Sequence, residues 1–214
     1  MVLDSYQCGK VPWRYSIICI TAAVDSRTGG LFFIDGPGGT GKTFVENLLL
    51  SYVRSTGSIA LSVASSGIAS ILLDGGRTSH SRFKIPIDIQ QDSICDIKAQ
   101  TSLADLIRRT KLIIWDEAPA QHRYCFEAVD RTFKDICNCE KWFGGITMVF
   151  GGMTSSQRLP FNYCRSLSSM FARCSKGFQT SNSSFYHFKC HILERCAAVQ
   201  VACQHAPSIS SWAN

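Results

Sequence analysis

The chain has 214 residues, of which 45% are hydrophobic and 18% charged, with a formal net charge of +6 and 11 cysteines. That apolar content closes one ample α/β domain and argues against a disordered chain or a complete two-domain motor, while the positive balance suits a partner bearing phosphates without identifying one. The odd, scattered cysteines argue against a disulfide framework and for a reducing compartment, and no apolar run approaches the ~20 residues that span a bilayer.

In chain order, the apolar stretch 16–24 reads as a buried helix, because it ends too close to the following strand to be a leader. Leu31-Phe32-Phe33-Ile34 is a short buried strand, followed by a glycine-rich turn and a helix over 44–53. A second strand covers 59–64, and a helix over 66–73 is stopped by Gly75-Gly76. A helix over 103–109, a strand over 112–115, a helix over 124–137 with Phe126, Val129 and Phe133 on one face, and a strand over 146–150 complete the series. This alternation is that of a parallel sheet covered by helices, so the expected class is α/β. Residues 1–160 form the expected domain. Residues 161–214 form a Ser-rich basic tail, expected to be disordered or to come from a mispredicted reading frame.

Gly36-Pro37-Gly38-Gly39-Thr40-Gly41-Lys42-Thr43 fits GxxxxGK[ST] between a strand and a helix. Glycines let backbone N–H groups curl around a β-phosphate, and the following helix turns its positive end on the same anion. Lys42 is placed to reach the β and γ phosphates of ATP, and Thr43 to hold Mg²⁺. Leu112-Ile113-Ile114-Trp115 delivers Asp116 and Glu117 to the sheet edge. In such a fold Asp116 is the second Mg²⁺ residue, and Glu117 the base that polarises the attacking water.

These segments resemble the Pif-type (petite-integration-frequency) helicases and the helicase regions of Helitron transposons. The resemblance runs from Leu31 to Gly152 and includes Gly36 to Phe44, Val63-Ala64-Ser65-Ser66-Gly67-Ile68-Ala69, Gly75 to Pro86, Trp115-Asp116-Glu117-Ala118-Pro119 and the spacer His122 to Thr132. It implies a RecA-like P-loop NTPase domain, the first motor domain of a superfamily 1 DNA helicase. Such an enzyme moves 5′ to 3′ on single strands or tailed duplexes with ATP and Mg²⁺, in DNA repair, recombination and telomere maintenance. The implied location is the nucleus, with the mitochondrion an alternative, and the chain is expected to be a truncated form.

Residue by residue, the resemblance assigns Gly36, Pro37, Gly38, Gly39, Thr40, Gly41, Lys42, Thr43 and Phe44 to the nucleotide. It assigns Ser65, Ser66, Gly67, Thr78, Ser79 and His80 to the DNA strand. Without it, Ser65 to Gly67 read as a helix cap and His80 as a surface histidine. Arg77, Arg82 and Lys84 around Phe83 read either as a strand-steering, base-stacking cluster or as a solvated loop with one buried phenylalanine.

The third family motif departs from its usual Gly-Gly-Asp form. Here it reads Gly151-Gly152-Met153-Thr154-Ser155-Ser156-Gln157-Arg158-Leu159-Pro160, one residue longer, with Gln157 as the candidate γ-phosphate sensor. Trp13 stands in the register of the family's adenine-reading glutamine, and Gln7 lies farther upstream. Cys190, His191, Cys196, Cys203 and His205, like Cys137-Asn138-Cys139, lack paired zinc-ligand spacing and read as free side chains. The alternative to a motor is a non-catalytic ATP-dependent nucleic-acid-binding or regulatory module.

Overall fold

A computed structural model describes residues 12–153 and 189–192. Helix α1 (Pro12–Asp25) leads into strand β1 (Gly30–Asp35), and after the phosphate loop come α2 (Lys42–Ser55) and β2 (Ile59–Ala64). Short elements follow: α3 (Gly67–Ile71), β3 (Arg77–Thr78) and α4 (Ser79–Phe83). The chain continues through α5 (Ser102–Arg109), β4 (Thr110–Asp116), α6 (Arg123–Cys137), β5 (Thr147–Gly152) and β6 (Lys189–Ile192).

The sheet has the order β3-β2-β4-β5-β1-β6. Its first five strands pair in parallel, and β6 runs antiparallel along the outer edge of β1, with Asp35 opposite Lys189 and Phe32 opposite Ile192. The sequence therefore returns to the sheet beyond residue 160, where its composition showed no strand rhythm.

Continuous apolar strands arise because both sheet faces are covered, and alternate residues serve opposite cores. On one face Leu31, Phe33, Ile113, Trp115, Met148 and Phe150 pack with Phe126, Val129 and Phe133 of α6. On the other, Phe32, Ile34, Leu112, Ile114 and Val149 pack with Ile20 and Val24 of α1 and Leu49, Leu50 and Val53 of α2. The stretch 16–24 is thus part of a core helix, as its sequence indicated. No helix among the described residues is long and apolar enough to cross a membrane.

The short elements depart most from the sequence pattern. The expected 66–73 helix holds only to Ile71, and the chain then turns through Gly76, where a Cβ would run into the carbonyl of Ser70. Arg77 and Thr78 pair with Val63 and Ala64, a two-residue strand too brief to show a period. Thr78 then caps α4 by accepting from the Ser81 amide at 3.3 Å.

Phe83 settles one open alternative. It is fully buried, with its ring 5.7 Å from Trp115 and 5.2 Å from Phe133, edge-on to the latter. It is a core residue, so the base-stacking reading is corrected: the aromatic ring is spent on the core. Arg82 beside it is half-buried and donates to the Gly75 carbonyl, while Lys84 is exposed.

Truncating Phe83 to alanine should cost about 3–5 kcal/mol through the cavity left between Trp115 and Phe133. Denaturant unfolding of Phe83→Ala checks this, and a loss below about 1 kcal/mol would contradict the packing.

Candidate nucleotide site and strand-facing edge

The loop after β1 is shaped by backbone conformation. Gly39 and Gly41 lie in the left-handed region at φ 76° and 88°, which glycine adopts without strain, and Gly41 is the N-cap of α2. A Cβ at Gly38, Gly39 or Gly41 would meet nothing within 4 Å, so at Gly39 and Gly41 it is the backbone conformation and not crowding that calls for glycine. Gly36 N–H donates to the Gly152 carbonyl at 3.2 Å, which ties the loop to the end of β5. Lys42 Nζ donates to the carbonyls of Gly36 and Pro37 at 2.6 and 3.0 Å, and Thr40 Oγ1 donates to Pro37 at 2.6 Å. Thr43 is half-buried in the first turn of α2, and Phe44 is exposed.

Asp116 ends β4, two strands from β1 with β5 between them. It is 6% exposed, and its Oδ1 accepts the Glu117 amide at 2.7 Å. Burial pushes its carboxyl above the ordinary aspartate range, against the pull of the Glu117 N–H and the Lys42 charge.

A further carboxyl was missed in the sequence. Glu46, one turn into α2, is fully buried, and neither of its oxygens has a hydrogen-bond partner among the described residues. A Cβ on Gly151 would collide with Glu46 Oε1 and also meet Asp116 Oδ1 at 2.8 Å. The glycine pair of the third motif therefore has a steric reason: Gly151 passes the two carboxyls, and at Gly152 a side chain would strike the ring of Pro119. Glu46 falls on the stripe of Val45, Leu49, Leu50 and Val53, and a carboxylate on an apolar stripe is the signal that finds it.

Glu117 follows in the left-handed region, at φ 51° and ψ 33°. Such a conformation costs a non-glycine residue energy and persists when its surroundings fix it. Asp116 Oδ1 holds its amide. Its carbonyl accepts Ser65 Oγ at 2.8 Å and the Ala120 amide at 2.9 Å, and its Oε2 accepts Ser66 Oγ at 2.8 Å.

The strand-motif residues reach the same sheet edge but not the same environment. Ser66 is exposed and caps α3 by accepting the Ala69 amide at 3.2 Å, as the helix-cap reading of its sequence has it. Gly67 is exposed, and Ser65, Thr78 and His80 are half-buried. Ser79 is fully buried and donates to Gln121 Oε1 at 2.9 Å, so its hydroxyl is turned inward and the backbone is what it can offer a strand. Gln121 in turn donates to Cys125 Sγ at 3.0 Å. Gln7, Gln157, Arg158, Cys196, Cys203 and His205 lie outside the described residues, as do the side chains of Trp13, Cys190 and His191.

A glycine loop between β1 and α2, a strand-end carboxylate pair on β4 and a parallel sheet covered on both faces define the class: a RecA-like P-loop nucleotide-binding domain. The chain belongs to the PIF1-like helicase family, whose model matches residues 14–187. It is 30% identical over 128 residues to the ATP-dependent DNA helicase Pif1 of Psychrobacter sp. (strain PRwf-1), covering 59% of this chain and 19% of that protein. Its fold is similar to that of Bacteroides Pif1 bound to ssDNA, with TM-score 0.52, 23% identity, and 72% of this chain against 36% of that one. A second Bacteroides Pif1 structure, in complex with ADP-AlF3 and ssDNA, gives TM-score 0.55 and 22% identity over 76% of this chain and 38% of that one. The chain thus spans about a fifth of the curated relative and over a third of these solved chains.

Burial raises Glu46 from 4.5 to about 8, helped by the Asp116 charge and opposed by Lys42. The folded chain therefore holds that proton more tightly than the unfolded one. The resulting stability is fully present below pH 4.5 and is lost as pH climbs to about 8. Glu46→Gln carries no such titration, and should gain about 2–4 kcal/mol on the parent between about pH 4 and pH 9. Urea unfolding at the two pH values checks this, and an unchanged difference would contradict it.

Proposed function

We propose that the chain is the first motor domain of an ATP-dependent DNA helicase, binding and hydrolysing ATP with Mg²⁺ and coupling it to movement along single-stranded DNA. The observation that carries the proposal is the convergence at one sheet edge. The phosphate loop, the Asp116-Glu117 pair and the Ser65-Ser66 turn meet there, with Ser66 hydrogen-bonded to Glu117. Family membership supports the same reading.

Mg²⁺ fits the donors present. Thr43 hydroxyl and Asp116 carboxylate are hard oxygen ligands, and among the described residues no cluster of three His, Cys, Asp or Glu could hold an ion alone. Protein and phosphates would share the ion, as is usual for Mg²⁺, which neutralises the charge developing on the phosphates. Lys42 would leave the Gly36 and Pro37 carbonyls for the β and γ phosphates. Glu117 would take a proton from the attacking water as that oxygen bonds to the γ-phosphorus and the bond to ADP breaks.

Single-stranded and tailed duplex DNA are the proposed partners, recognised through phosphate by Ser65, Ser66, Gly67, Thr78, His80 and the Ser79 backbone. Movement 5′ to 3′, roles in repair, recombination and telomere maintenance, and a nuclear or mitochondrial location belong to the same proposal.

Lys42→Ala should weaken ATP binding by at least about tenfold, removing a cation from the phosphates. Glu117→Gln should keep that binding and abolish hydrolysis, and Asp116→Ala should weaken the Mg²⁺-dependent part. Calorimetric titration and phosphate release measure the three, and equal ATP affinity in Lys42→Ala would sink the proposal.

Residues 1–214 alone should not unwind a 5′-tailed duplex. The described residues form one sheet domain, and unwinding needs a second domain to close on ATP, whose arginine finger commonly contributes ~10³ to 10⁵ in rate. Unwinding by the parent but not by Lys42→Ala would overturn this expectation.

A further inference from the structure

We propose that the Ser66 hydroxyl is the coupling element between strand and base: it restrains Glu117 when no strand is bound and releases it to a DNA phosphate. The inference rests on the strand-contacting role proposed for Ser65 to Gly67 and adds how that contact regulates hydrolysis.

A serine hydroxyl has one proton to give. Ser66 gives it to Glu117 Oε2 at 2.8 Å, and its oxygen also receives the Ala69 amide at 3.2 Å, so the acceptor side serves the helix cap and the donor side serves the carboxylate. The residue is exposed at the start of α3, where an incoming phosphate oxygen can compete for that one proton. Both competitors are anionic oxygens, so the exchange trades one charge-assisted hydrogen bond for another and has little net cost.

Glu117 is built to respond to that exchange. Three bonds hold its backbone in the left-handed conformation independently of Ser66: its N–H to Asp116 Oδ1, and Ser65 Oγ and Ala120 N–H to its carbonyl. Among the described residues the only hydrogen bond of the carboxylate is to Ser66. Loss of that bond therefore frees the carboxylate while leaving its backbone in place. A carboxylate that has accepted a serine hydroxyl is a weaker acceptor for a water proton, so the restrained state is the slower one. Ser66 is thus a positioning residue acting through Glu117, and Ser65, bound to the backbone carbonyl, is the fixed part of the same turn.

Ser66→Gly removes the hydroxyl while costing the N-cap little, and Ser66→Thr keeps both cap and donor. Chain 1–214 with carbon-13-labelled glutamate, its Glu117 carboxyl resonance assigned by its disappearance in Glu117→Gln, is titrated with oligothymidylate while fluorescence anisotropy follows binding. The parent resonance should move on strand binding toward the position that Ser66→Gly shows without DNA. In Ser66→Gly it should stay put, and Ser66→Thr should follow the parent.

In phosphate release, Ser66→Gly should turn over ATP several-fold faster than the parent without DNA, with a smaller stimulation at saturating strand and an unchanged KM for ATP. Where turnover is too slow to measure, the resonance decides. A parent that binds the strand with an unmoved resonance, a Ser66→Gly resonance that matches the parent or still shifts with DNA, or slower strand-free turnover in Ser66→Gly overturns the coupling and leaves the strand reading standing. A parent that does not bind the oligonucleotide overturns both.

Discussion

Two carboxyl groups and an ammonium share the edge where β4, β5 and β1 end. Asp116 and Glu46 are both buried, the Asp116 charge raises the cost of ionising Glu46, and Lys42 eases both. That crowding explains features that otherwise look unrelated. β5 ends in two glycines because side chains there would strike Glu46 and Pro119. Asp116 takes the next residue's amide because a buried carboxylate needs donors. The phosphate loop is tied to β5 through Gly36 and Gly152, so the cation is held where it offsets the carboxyls. The strand order β4-β5-β1 is the geometry that makes this sharing possible.

Much of the framework was legible because its elements are long or fully buried. The runs Leu31-Phe32-Phe33-Ile34 and Leu112-Ile113-Ile114-Trp115 are central strands covered on both faces, and each extends slightly past its apolar run in the structure. What escaped is short or decided by tertiary contact. β3 has two residues and α4 five, so neither shows a period. β6 has four residues at the sheet edge, too few to show a period. Phe83 lies among arginines and a lysine in sequence, and only the approach of Trp115 and Phe133 shows that it is core.

For the candidate site, the glycine loop and Asp116-Glu117 stand out in the sequence because the chemistry proposed for them asks for particular residue types between a strand and a helix or at a strand end. The inward turn of Ser79 was not, since nothing local distinguishes its hydroxyl from its neighbours'. Its partner Gln121 is 42 residues away, beyond the 3-10 turn that follows Glu117. The two segments proposed to contact the strand thus meet the chain around Asp116 and Glu117 at separate points, Ser65 and Ser66 at Glu117 and Ser79 at Gln121. α6 continues that contact through Cys125, whose sulfur lies 3.0 Å from Gln121 and 4.0 Å from His80 Nε2. Sequence spacing describes motifs one at a time, and these cross-links exist only once the sheet brings them together.

The phosphate loop also closes on itself, with the Lys42 ammonium lodged against the carbonyls of Gly36 and Pro37. A flexible glycine loop would otherwise have to be ordered by its ligand, at an entropic cost charged against affinity. Here Lys42, the side chain proposed to reach the phosphates, serves beforehand as an internal clasp. On the proposed function, arrival of a nucleotide would be an exchange of partners on a preformed scaffold, and its departure would restore the clasp without the loop having to refold.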